Sequence, residues 1–415
     1  MKYYPTEKQK RFMEWEFGVF FHFGIRTFYH GHRDWDGREM DASGFCPDRL
    51  DCRQWCAFVK EIGAKYCILT TKHHDGFANW PSRYTKYSVA ATPWKDGKGD
   101  VVREFTDACR EYGLGVGLYY SPAQWGSTAA SFSDEAEYDE YFIGQISELL
   151  TNYGKIDYLW FDGCGSAGHE YDQKRIIGVI RGLQPDITIF GMWDPDTVWV
   201  GNEDGYADMP NSNVRTFDRF GERVTAFAPA ECDTRLRDSW FYDINEHTVK
   251  SLDELVGIYE MSVGRGSNLL MNISPDDHGL LPDADMRRMR EWRCEIDKRY
   301  GSPLGFGRFE RTGENTYILT YTDEAAALVT DTVNINPVRS VIIREDVCGG
   351  DEIKEFRLYA HIPTRFPVSD RKICVCRGFT VGRKRICRFP AIRTMKFTLE
   401  VSGGENAIVG IDAFE

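Results

Sequence analysis

The sequence predicts an α/β protein, a (β/α)8-like barrel followed by a C-terminal β-sandwich. Up to about residue 300, short apolar runs alternate with amphipathic stretches, which is typical of βα units around a parallel sheet. No glycine-rich turn follows the first apolar run, so an open dinucleotide-binding sheet is the less favoured alternative. After residue 305 only short strand-like runs separated by turns remain. We therefore expect residues 1–300 to form the barrel and residues 306–415 to form the sandwich.

The apolar runs and amphipathic stretches predict seven strands and six helices before residue 300. The strands are predicted at 17–23, 65–71, 113–121, 156–162, 187–193, 225–231 and 268–274. The helices are predicted at 49–62, 98–112, 134–153, 172–184, 252–265 and 283–299. Seven strands indicate an eight-stranded barrel in which one unit escapes the pattern. In the sandwich, strands are predicted in YILTYT, AAALVT, RSVIIRE, KEFRLYAHI, KICVCRGFTV and KFTLEV.

Charge and hydropathy exclude several classes of partner. The 415 residues carry a net charge of −13, which would repel nucleic acid and anionic membrane surfaces. No apolar run approaches the length of a membrane-spanning helix, and the N-terminal segment lacks the pattern of a signal peptide. We expect a soluble cytoplasmic protein that acts on a neutral small molecule, with neither nucleic acid nor membrane as a partner.

The 12 cysteines are scattered along the chain rather than grouped as in a small disulfide-rich domain. Neither Cys374–Cys376 nor the series Cys46, Cys52, Cys56 has the paired spacing of a zinc site. We expect reduced thiols, with no metal and no cofactor.

Polar side chains follow the predicted barrel strands at the ends where barrel enzymes carry their active sites. A single such residue is usually a helix cap or a hydrogen-bonded core group, but six coincident strand ends favour a functional site. The residues include His22, His73, His74, Tyr120, Asp162, Glu203 and Glu231.

Three histidines near carboxylates are compatible with a metal site, since imidazole is a common metal ligand. Against this, His73 and His74 are adjacent, and adjacent strand residues point to opposite sides of a sheet. Several tryptophans also lie near the polar strand ends, and flat rings beside hydrogen-bonding groups suit a sugar. They are Trp35, Trp80, Trp125, Trp160 and Trp240. A metal-dependent hydrolase is therefore the second hypothesis.

Hydrolysis of a sugar bond usually requires two carboxyl groups. Asp162 is the best candidate nucleophile because it directly follows the buried run YLWF and precedes a glycine that admits the substrate. Helix capping by Asp162 is less favoured, since the next helix begins about ten residues later. For the general acid and base, the residues themselves leave Glu203 and Glu231 in competition.

An ordered set of motifs resembles the α-L-fucosidases of glycoside hydrolase family 29. The motifs are FFHFG, AKYCILTTKHHDGFANWPSRYTKYSV, GLYYS, YLWFDG, WVGNEDG, PAECDTRLRDSWFY and GRGSNLLMNISPDDHGLLPD. The C-terminal segments EFRLYAHIP and FTVGRKRICRFP are similar to the β-sandwich of that family. The resemblance implies a retaining exo-α-L-fucosidase without a cofactor, acting on fucosylated oligosaccharides.

The resemblance also implies residue roles. Asp162 occupies the position of the nucleophile, and Glu203, in a Gly-Asn-Glu motif 203 − 162 = 41 residues further on, that of the acid/base in the branch acting on α1,3- and α1,4-linked fucose of Lewis-type glycans. The implied substrate-binding residues are His22, Asp34, Trp35, His73, His74, Tyr120, Glu231, Arg237 and Trp240. Asp34 stands where the family usually has Glu, and TRLRDSWFY departs from the usual Ile-Arg-Pro-Gly run. A fucosidase of broad or α1,2 specificity and a fucose-binding pseudo-enzyme are the alternatives.

Overall fold

A computed structural model describes residues 2–31, 38–124, 132, 134–164, 168–306, 308–321, 336–349, 352–364, 369–404 and 408–415. The helices are α1 (Glu7–Trp15), α2 (Cys52–Glu61), α3 (Val101–Tyr112), α4 (Glu135–Asn152), α5 (Gln173–Leu183), α6 (Leu252–Met261) and α7 (Asp283–Tyr300). The strands up to α7 are β1 (Phe17–Phe21), β2 (Tyr66–Lys72), β3 (Gly115–Tyr120), β4 (Tyr158–Phe161), β5 (Thr188–Phe190), β6 (Val198–Trp199), β7 (Val214–Arg219), β8 (Glu222–Phe227), β9 (Ala230–Arg235) and β10 (Asn268–Asn272).

Eight strands form a parallel sheet in the order β5-β4-β3-β2-β1-β10-β9-β6. A parallel bridge between Phe190 and Thr197 brings the two ends of this sheet together. Helices α2 to α7 connect or follow the strands, so the predicted (β/α)8-like barrel is confirmed. Strands β7 and β8 form an antiparallel hairpin inserted between β6 and β9.

The structure corrects two predictions about the strands. The missed barrel strand is β6, which has only two residues and therefore carries no periodic pattern. The single strand predicted at 225–231 corresponds to parts of two strands. It covers the end of β8, which stops at Phe227, and the start of the barrel strand β9, which begins at Ala230. Glu231 is thus the second residue of its strand rather than the last.

The N-terminal helix α1 was not predicted. It begins at a capping box in which Thr6 and Gln9 satisfy each other's backbone N–H groups. Its Phe12 and Met13 are buried against the inward-facing rings of Tyr66 and Tyr158. The apolar side chains of the helix therefore close the barrel at the amino ends of its strands.

Side chains alternate along each barrel strand between the barrel interior and the layer under the helices. The interior cluster contains Phe20, Tyr66, Ile68, Tyr119, Tyr158, Trp160, Phe190 and Leu270. The absence of a side chain at Gly18 makes room for these rings, since a Cβ there would lie 2.4 Å from the ring of Tyr66. The barrel interior is consequently packed with side chains near the amino ends of the strands and open as a cavity at their carboxyl ends.

The C-terminal strands are β11 (Arg308–Arg311), β12 (Thr316–Thr320), β13 (Val338–Glu345), β14 (Glu355–Thr364), β15 (Ser369–Phe379), β16 (Arg385–Ile392), β17 (Lys396–Ser402) and β18 (Ile408–Phe414). They form sheets of order β11-β12-β17-β14-β15 and β16-β13-β18, with antiparallel pairing. One buried cluster takes Phe356 and Leu399 from the first sheet and Val341 and Ile411 from the second. The predicted run AAALVT lies outside the described residues.

Polar contacts attach these sheets to the barrel. Lys384 Nζ lies 2.7 Å from a carboxylate oxygen of Glu16, and Arg388 lies 2.9 Å from Glu260. The backbone N–H of Ile386 donates to the carbonyl of Gly264 at 2.9 Å. All twelve cysteines have free thiols. Within the described ranges, no helix combines the length and the apolar character needed to cross a membrane.

Candidate active site

A cavity of about 480 Å³ opens at the carboxyl ends of the barrel strands. Its floor contains the inward-facing rings of Phe20, Tyr119, Trp160 and Phe190. Trp160 stacks on Phe190 with the ring centroids 4.4 Å apart. The described residues that line the cavity all precede Phe241 in the chain, so the described part of the C-terminal sheets does not contribute to its wall.

Asp162 lies in this cavity, one residue beyond the end of β4. Its Oδ2 accepts a hydrogen bond of 2.8 Å from the phenol of Tyr119 and lies 3.3 Å from Nε2 of His74. Its Oδ1 accepts the backbone N–H of Cys164 at 2.8 Å. Three donors therefore hold a carboxylate that is still 21% exposed to the cavity.

The pKa of Asp162 reflects two opposing effects. Burial raises the pKa, but hydrogen bonding and the charge of His74, together with the donors from Cys164 and Tyr119, lower it below its ordinary value. Asp162 is accordingly an ionised carboxylate at neutral pH. An ionised, oriented carboxylate at the end of a barrel strand is suited to nucleophilic attack.

His74 is oriented from its far side. Its Nδ1 lies 2.6 Å from the hydroxyl of Ser121, the residue that follows β3. Because a carboxylate oxygen only accepts hydrogen bonds, the proton shared with Asp162 lies on Nε2 of His74. His74 thus positions Asp162 from a buried site.

His22 presents a hydrogen-bond acceptor to the cavity. The amide nitrogen of Asn272 donates to the carbonyl of Trp240, so its Oδ1 must face His22 and accept the proton of Nδ1 at 2.8 Å. Burial lowers the pKa of His22 to about 3, although the Asn272 contact opposes the shift. The ring is therefore neutral, and its Nε2 accepts hydrogen bonds.

His73 also lines the cavity and packs parallel to the ring of Tyr119, with centroids 5.5 Å apart. Its Nδ1 is buried and has no hydrogen-bond partner among the described residues. Burial lowers the pKa of His73 well below its ordinary value. A neutral imidazole in the cavity wall is a candidate contact for a ligand hydroxyl.

Although His73 and His74 are adjacent in the chain, they do not point to opposite sides of a sheet as predicted. Strand β2 ends at Lys72, so the two histidines are free of strand alternation and both line the cavity. His73, His74 and Asp162 each offer an atom within 4.8 Å of the other two. Both nitrogens of His74 already have partners in Ser121 and Asp162.

The structure corrects the predicted tyrosine. Tyr120 points away from the cavity into the layer under the helices, where its phenol donates to Gln145 at 2.7 Å. The preceding residue, Tyr119, lines the cavity and contacts Asp162. The error is one residue of register, which on a strand moves a side chain to the opposite face.

Glu203 lines the cavity on the loop after β6. Its side chain is 46% exposed, and one carboxylate oxygen lies 3.8 Å from the guanidinium of Arg235. Asp162 and Glu203 are therefore two carboxyl groups on different strand ends of one cavity.

Glu231 does not line the cavity, contrary to its predicted contact with substrate. It is fully buried in the barrel and accepts hydrogen bonds from Tyr66, Tyr158 and Trp160. Burial raises its pKa to about 7, although these donors oppose the shift. The cause of the error is the strand boundary, which places Glu231 at the start of β9.

The remaining predicted contacts differ in where the structure places them. Trp240 lines the cavity, and its ring lies 4.8 Å from that of His22. Arg237 is instead paired with the buried Asp285 at 2.6 Å and does not line the cavity. Asp34 and Trp35 lie outside the described residues.

Trp199 and Asp233 line the cavity but were not predicted to do so. The indole N–H of Trp199 donates to Asp233 at 2.6 Å. Trp199 belongs to the two-residue strand β6, and Asp233 lies within a strand whose boundaries were predicted too early. The WVGNE motif was the available signal for Trp199, since it sets this ring four residues before Glu203.

The sequence and the fold of this chain are similar to those of known proteins. The family model described as alpha-L-fucosidase matches residues 3–292. The chain belongs to the α-L-fucosidase family, glycoside hydrolase family 29. Membership makes the chain a glycoside hydrolase of the α-L-fucosidase type, and the cavity at the strand ends is its candidate active site.

Similarity to individual relatives extends over most of the chain. It is 32% identical over 427 residues to Alpha-L-fucosidase 1 of Arabidopsis thaliana, a match covering 93% of this chain and 81% of the plant protein. It is 26% identical over 321 residues to Alpha-L-fucosidase of Dictyostelium discoideum, covering 66% and 67% of the two chains. The crystal structure of a glycoside hydrolase 29 family member from an unknown rumen bacterium superposes with a TM-score of 0.87 at 31% identity, covering 100% of this chain and 77% of that one.

Proposed function

We propose that the protein is a retaining exo-α-L-fucosidase that releases α1,3- and α1,4-linked L-fucose from Lewis-type oligosaccharides, with Asp162 as nucleophile and Glu203 as acid/base. The observation that carries the proposal is the state of Asp162. It is an ionised carboxylate, held by three donors and open to a cavity that Glu203 also lines.

In the first step, a carboxylate oxygen of Asp162 attacks C1 of the fucosyl residue. The bond from C1 to the glycosidic oxygen breaks, and Glu203 gives its proton to that oxygen. In the second step, Glu203 takes a proton from water, the water oxygen attacks C1, and Asp162 leaves. Two displacements at C1 restore the original configuration.

The assignment of Glu203 is supported by access. Its carboxyl group is about half exposed in the cavity, so it can reach the departing oxygen and later a water molecule. Its competitor Glu231 is fully buried beneath the floor and engaged by three donors. A group that exchanges protons with a leaving oxygen must contact it directly, which favours Glu203.

The histidines are proposed to bind fucose hydroxyls. Nε2 of the neutral His22 ring is a hydrogen-bond acceptor, and His73 is a second neutral imidazole in the cavity wall, which supports contacts with a polar ligand. The aromatic floor suits the apolar face and the methyl group of a 6-deoxy sugar.

Linkage is tested with Lewis a and Lewis x trisaccharides, 2′-fucosyllactose and an aryl α-L-fucoside, measuring free fucose at equal enzyme concentration. We expect release mainly from the two Lewis trisaccharides. Release mainly from 2′-fucosyllactose or the aryl fucoside would keep the activity and contradict the linkage. No fucose from any of the four would favour a fucose-binding pseudo-enzyme.

Stereochemistry is tested by proton NMR of the fucose formed in the first minutes. We expect the α anomer first, with the β anomer appearing only as mutarotation proceeds. The β anomer appearing first would contradict the retaining mechanism and the role of Asp162 as nucleophile.

The role of Glu203 is tested with Glu203→Gln. We expect a loss on the order of a hundredfold or more on a Lewis trisaccharide, whose leaving oxygen needs a proton. The loss in the first step should be far smaller for α-L-fucosyl fluoride, whose leaving group needs none. Equal losses in the first step for both substrates would contradict the acid role.

A metal-dependent hydrolase is the second candidate, favoured by the grouping of His73, His74 and Asp162. Prolonged dialysis against EDTA distinguishes the two. We expect full activity after dialysis. A loss that a divalent cation restores would replace the double displacement with metal-assisted hydrolysis.

The free thiols support a proposed cytoplasmic location, since exposed cysteines such as Cys46 and Cys294 persist unpaired in a reducing compartment. Immunodetection after fractionation of source cells tests this. We expect the protein in the cytoplasmic fraction, and its recovery outside the cell would contradict the location.

A further inference from the structure

Trp199 is an exposed ring inside the candidate active site. It is the last residue of β6, lines the cavity and is 46% exposed. The other large rings in the cavity form its buried floor, such as Tyr119 and Trp160. Trp199 therefore offers an aromatic surface to a ligand at the open side.

Asp233 fixes the orientation of this ring. The indole N–H of Trp199 donates to Oδ1 of Asp233 at 2.6 Å, and Asp233 is only 3% exposed. The bond satisfies the single polar atom of the indole on the protein side. What remains accessible is apolar ring surface.

Trp199 and Glu203 lie on one short segment that is attached to β9. The backbone N–H of Val200 donates to the carbonyl of Glu231 at 3.2 Å, and Asp204 forms an antiparallel bridge with Thr234. The spacing between the ring and the carboxyl group is thereby set by the backbone. Trp199 and Glu203 therefore belong to one segment of the cavity wall.

Trp240, the other tryptophan outside the buried floor of the cavity, has different neighbours. Trp240 contacts the ring of His22 at 4.8 Å, on the side where fucose is proposed to bind. The guanidinium of Arg235 covers Trp240 at 5.2 Å from the ring centroid. Trp240 thus packs against His22 and Arg235, whereas the ring of Trp199 is 46% exposed.

We propose that Trp199 is the platform on which the first sugar of the leaving group stacks, and that Asp233 is the positioning residue that holds the indole. The inference rests on the proposed function, because it takes Glu203 as the residue next to the glycosidic oxygen. The ligand class is a pyranose with an apolar C–H face, which suits an aromatic surface.

The charge state of Asp233 is consistent with this role. Burial raises its pKa to about 8, and the charges of Glu203 and Glu231 act in the same direction. At neutral pH the carboxyl group is therefore mostly neutral. A protonated carboxyl group still accepts the indole N–H through the oxygen that carries no proton, so Asp233 holds the ring in either protonation state.

The test compares two substrates that share fucose but differ in leaving group, a Lewis a trisaccharide and α-L-fucosyl fluoride. Fluoride is too small to stack, so it reports the fucose site and Asp162 alone. We expect Trp199→Ala to lower kcat/KM on the trisaccharide more than on the fluoride, by a ratio on the order of tenfold or greater. Trp199→Phe, which keeps an aromatic face, should show a smaller ratio.

The positioning role of Asp233 is tested with a matched pair. Asp233→Asn keeps an oxygen that accepts the indole N–H, whereas Asp233→Leu has none. We expect the leucine variant to show the larger ratio of the two. Equal ratios for asparagine and leucine would overturn the role of the Trp199–Asp233 hydrogen bond.

Tyr84→Ala is the control for loss of an exposed ring, since Tyr84 is 48% exposed and does not line the cavity. It should show a ratio near one. A ratio near one for Trp199→Ala would overturn the platform. Failure of the unmodified enzyme to hydrolyse α-L-fucosyl fluoride would instead overturn the proposed function, so the two failures are distinguishable.

Discussion

The phenol of Tyr119 donates a hydrogen bond of 2.8 Å to Oδ2 of Asp162, while the adjacent Tyr120 turns to the opposite face of β3 and binds Gln145. Two consecutive tyrosines thus have unrelated roles. The first stabilises the ionised form of the proposed nucleophile, and the second joins β3 to helix α4.

This pair yields a prediction about pH. Because the Tyr119 hydrogen bond lowers the pKa of Asp162, Tyr119→Phe should raise that pKa and move the acid limb of the kcat/KM profile to higher pH. Tyr120→Phe is the matched control and should leave the acid limb in place. An unmoved limb in Tyr119→Phe would show that this bond does not set the ionisation of Asp162.

Asp162→Ala should lose turnover by about a thousandfold or more, because no other described carboxylate is held by the same three donors. Added azide should partly restore cleavage of an aryl α-L-fucoside and yield β-L-fucosyl azide, detected by NMR. Circular dichroism and thermal unfolding would establish that the variant is folded. Turnover unchanged by the substitution would exclude Asp162 as the nucleophile.

Glu231 should make stability depend on pH. Its pKa of about 7 in the folded protein exceeds its ordinary 4.5, so the folded state binds the proton more tightly than the unfolded state. Its contribution to the free energy of unfolding is complete below pH 4.5 and is lost as pH rises through about 7, by up to about 1.4 kcal/mol per pH unit.

Glu231→Gln tests this, because glutamine stays neutral across the range. The unfolding free energy of the variant relative to the unmodified protein should increase between about pH 4.5 and pH 7, the interval between the two pKa values, and level off above it. Urea titrations at several pH values measure this difference. Glu222→Gln, on the exposed hairpin, should show no such trend. If the difference in unfolding free energy between Glu231→Gln and the unmodified protein did not change with pH, ionisation of Glu231 would cost no more in the folded protein than in the unfolded one.

Arg237 should act on stability rather than on substrate binding. It is paired with Asp285, whose side chain is fully buried, so Arg237→Ala leaves an uncompensated charge and should cost about 3–5 kcal/mol of unfolding free energy. The KM for a Lewis trisaccharide should stay the same per folded enzyme. Combining Arg237→Met with Asp285→Leu should recover much of the stability. A raised KM with unchanged unfolding would restore the predicted contact with substrate.

Much of the fold was predictable from the sequence. Buried strands such as 65–71 and 268–274 are long enough to show continuous apolar character, and the structure has strands there. Strand β6 was missed because two residues cannot display a period. Helix α1 was missed because it precedes the first strand and does not belong to a βα unit.

The site residues were also predicted only in part. His22, His73, His74, Asp162, Glu203 and Trp240 were predicted and line one cavity. Tyr120, Glu231 and Arg237 were predicted and do not line it. Trp199 and Asp233 line it without having been predicted. The predicted residues that line the cavity lie mainly just beyond a strand end or on a loop, and those that do not line it lie mainly within strands.

The sequence by itself determined the barrel, the family and the position of Asp162, because an apolar run followed by Asp-Gly marks a strand end whatever the exact register. Only the tertiary structure decided which face each strand residue occupies. A shift of one residue exchanges the interior of the barrel for its exterior, as between Tyr119 and Tyr120. Strand β9 begins later in the chain than predicted. Glu231 therefore lies in the buried interior rather than at the rim of the barrel, and Asp233 lines the cavity. Composition and local pattern leave that register undetermined, since it depends on how strands distant in the chain pair with one another.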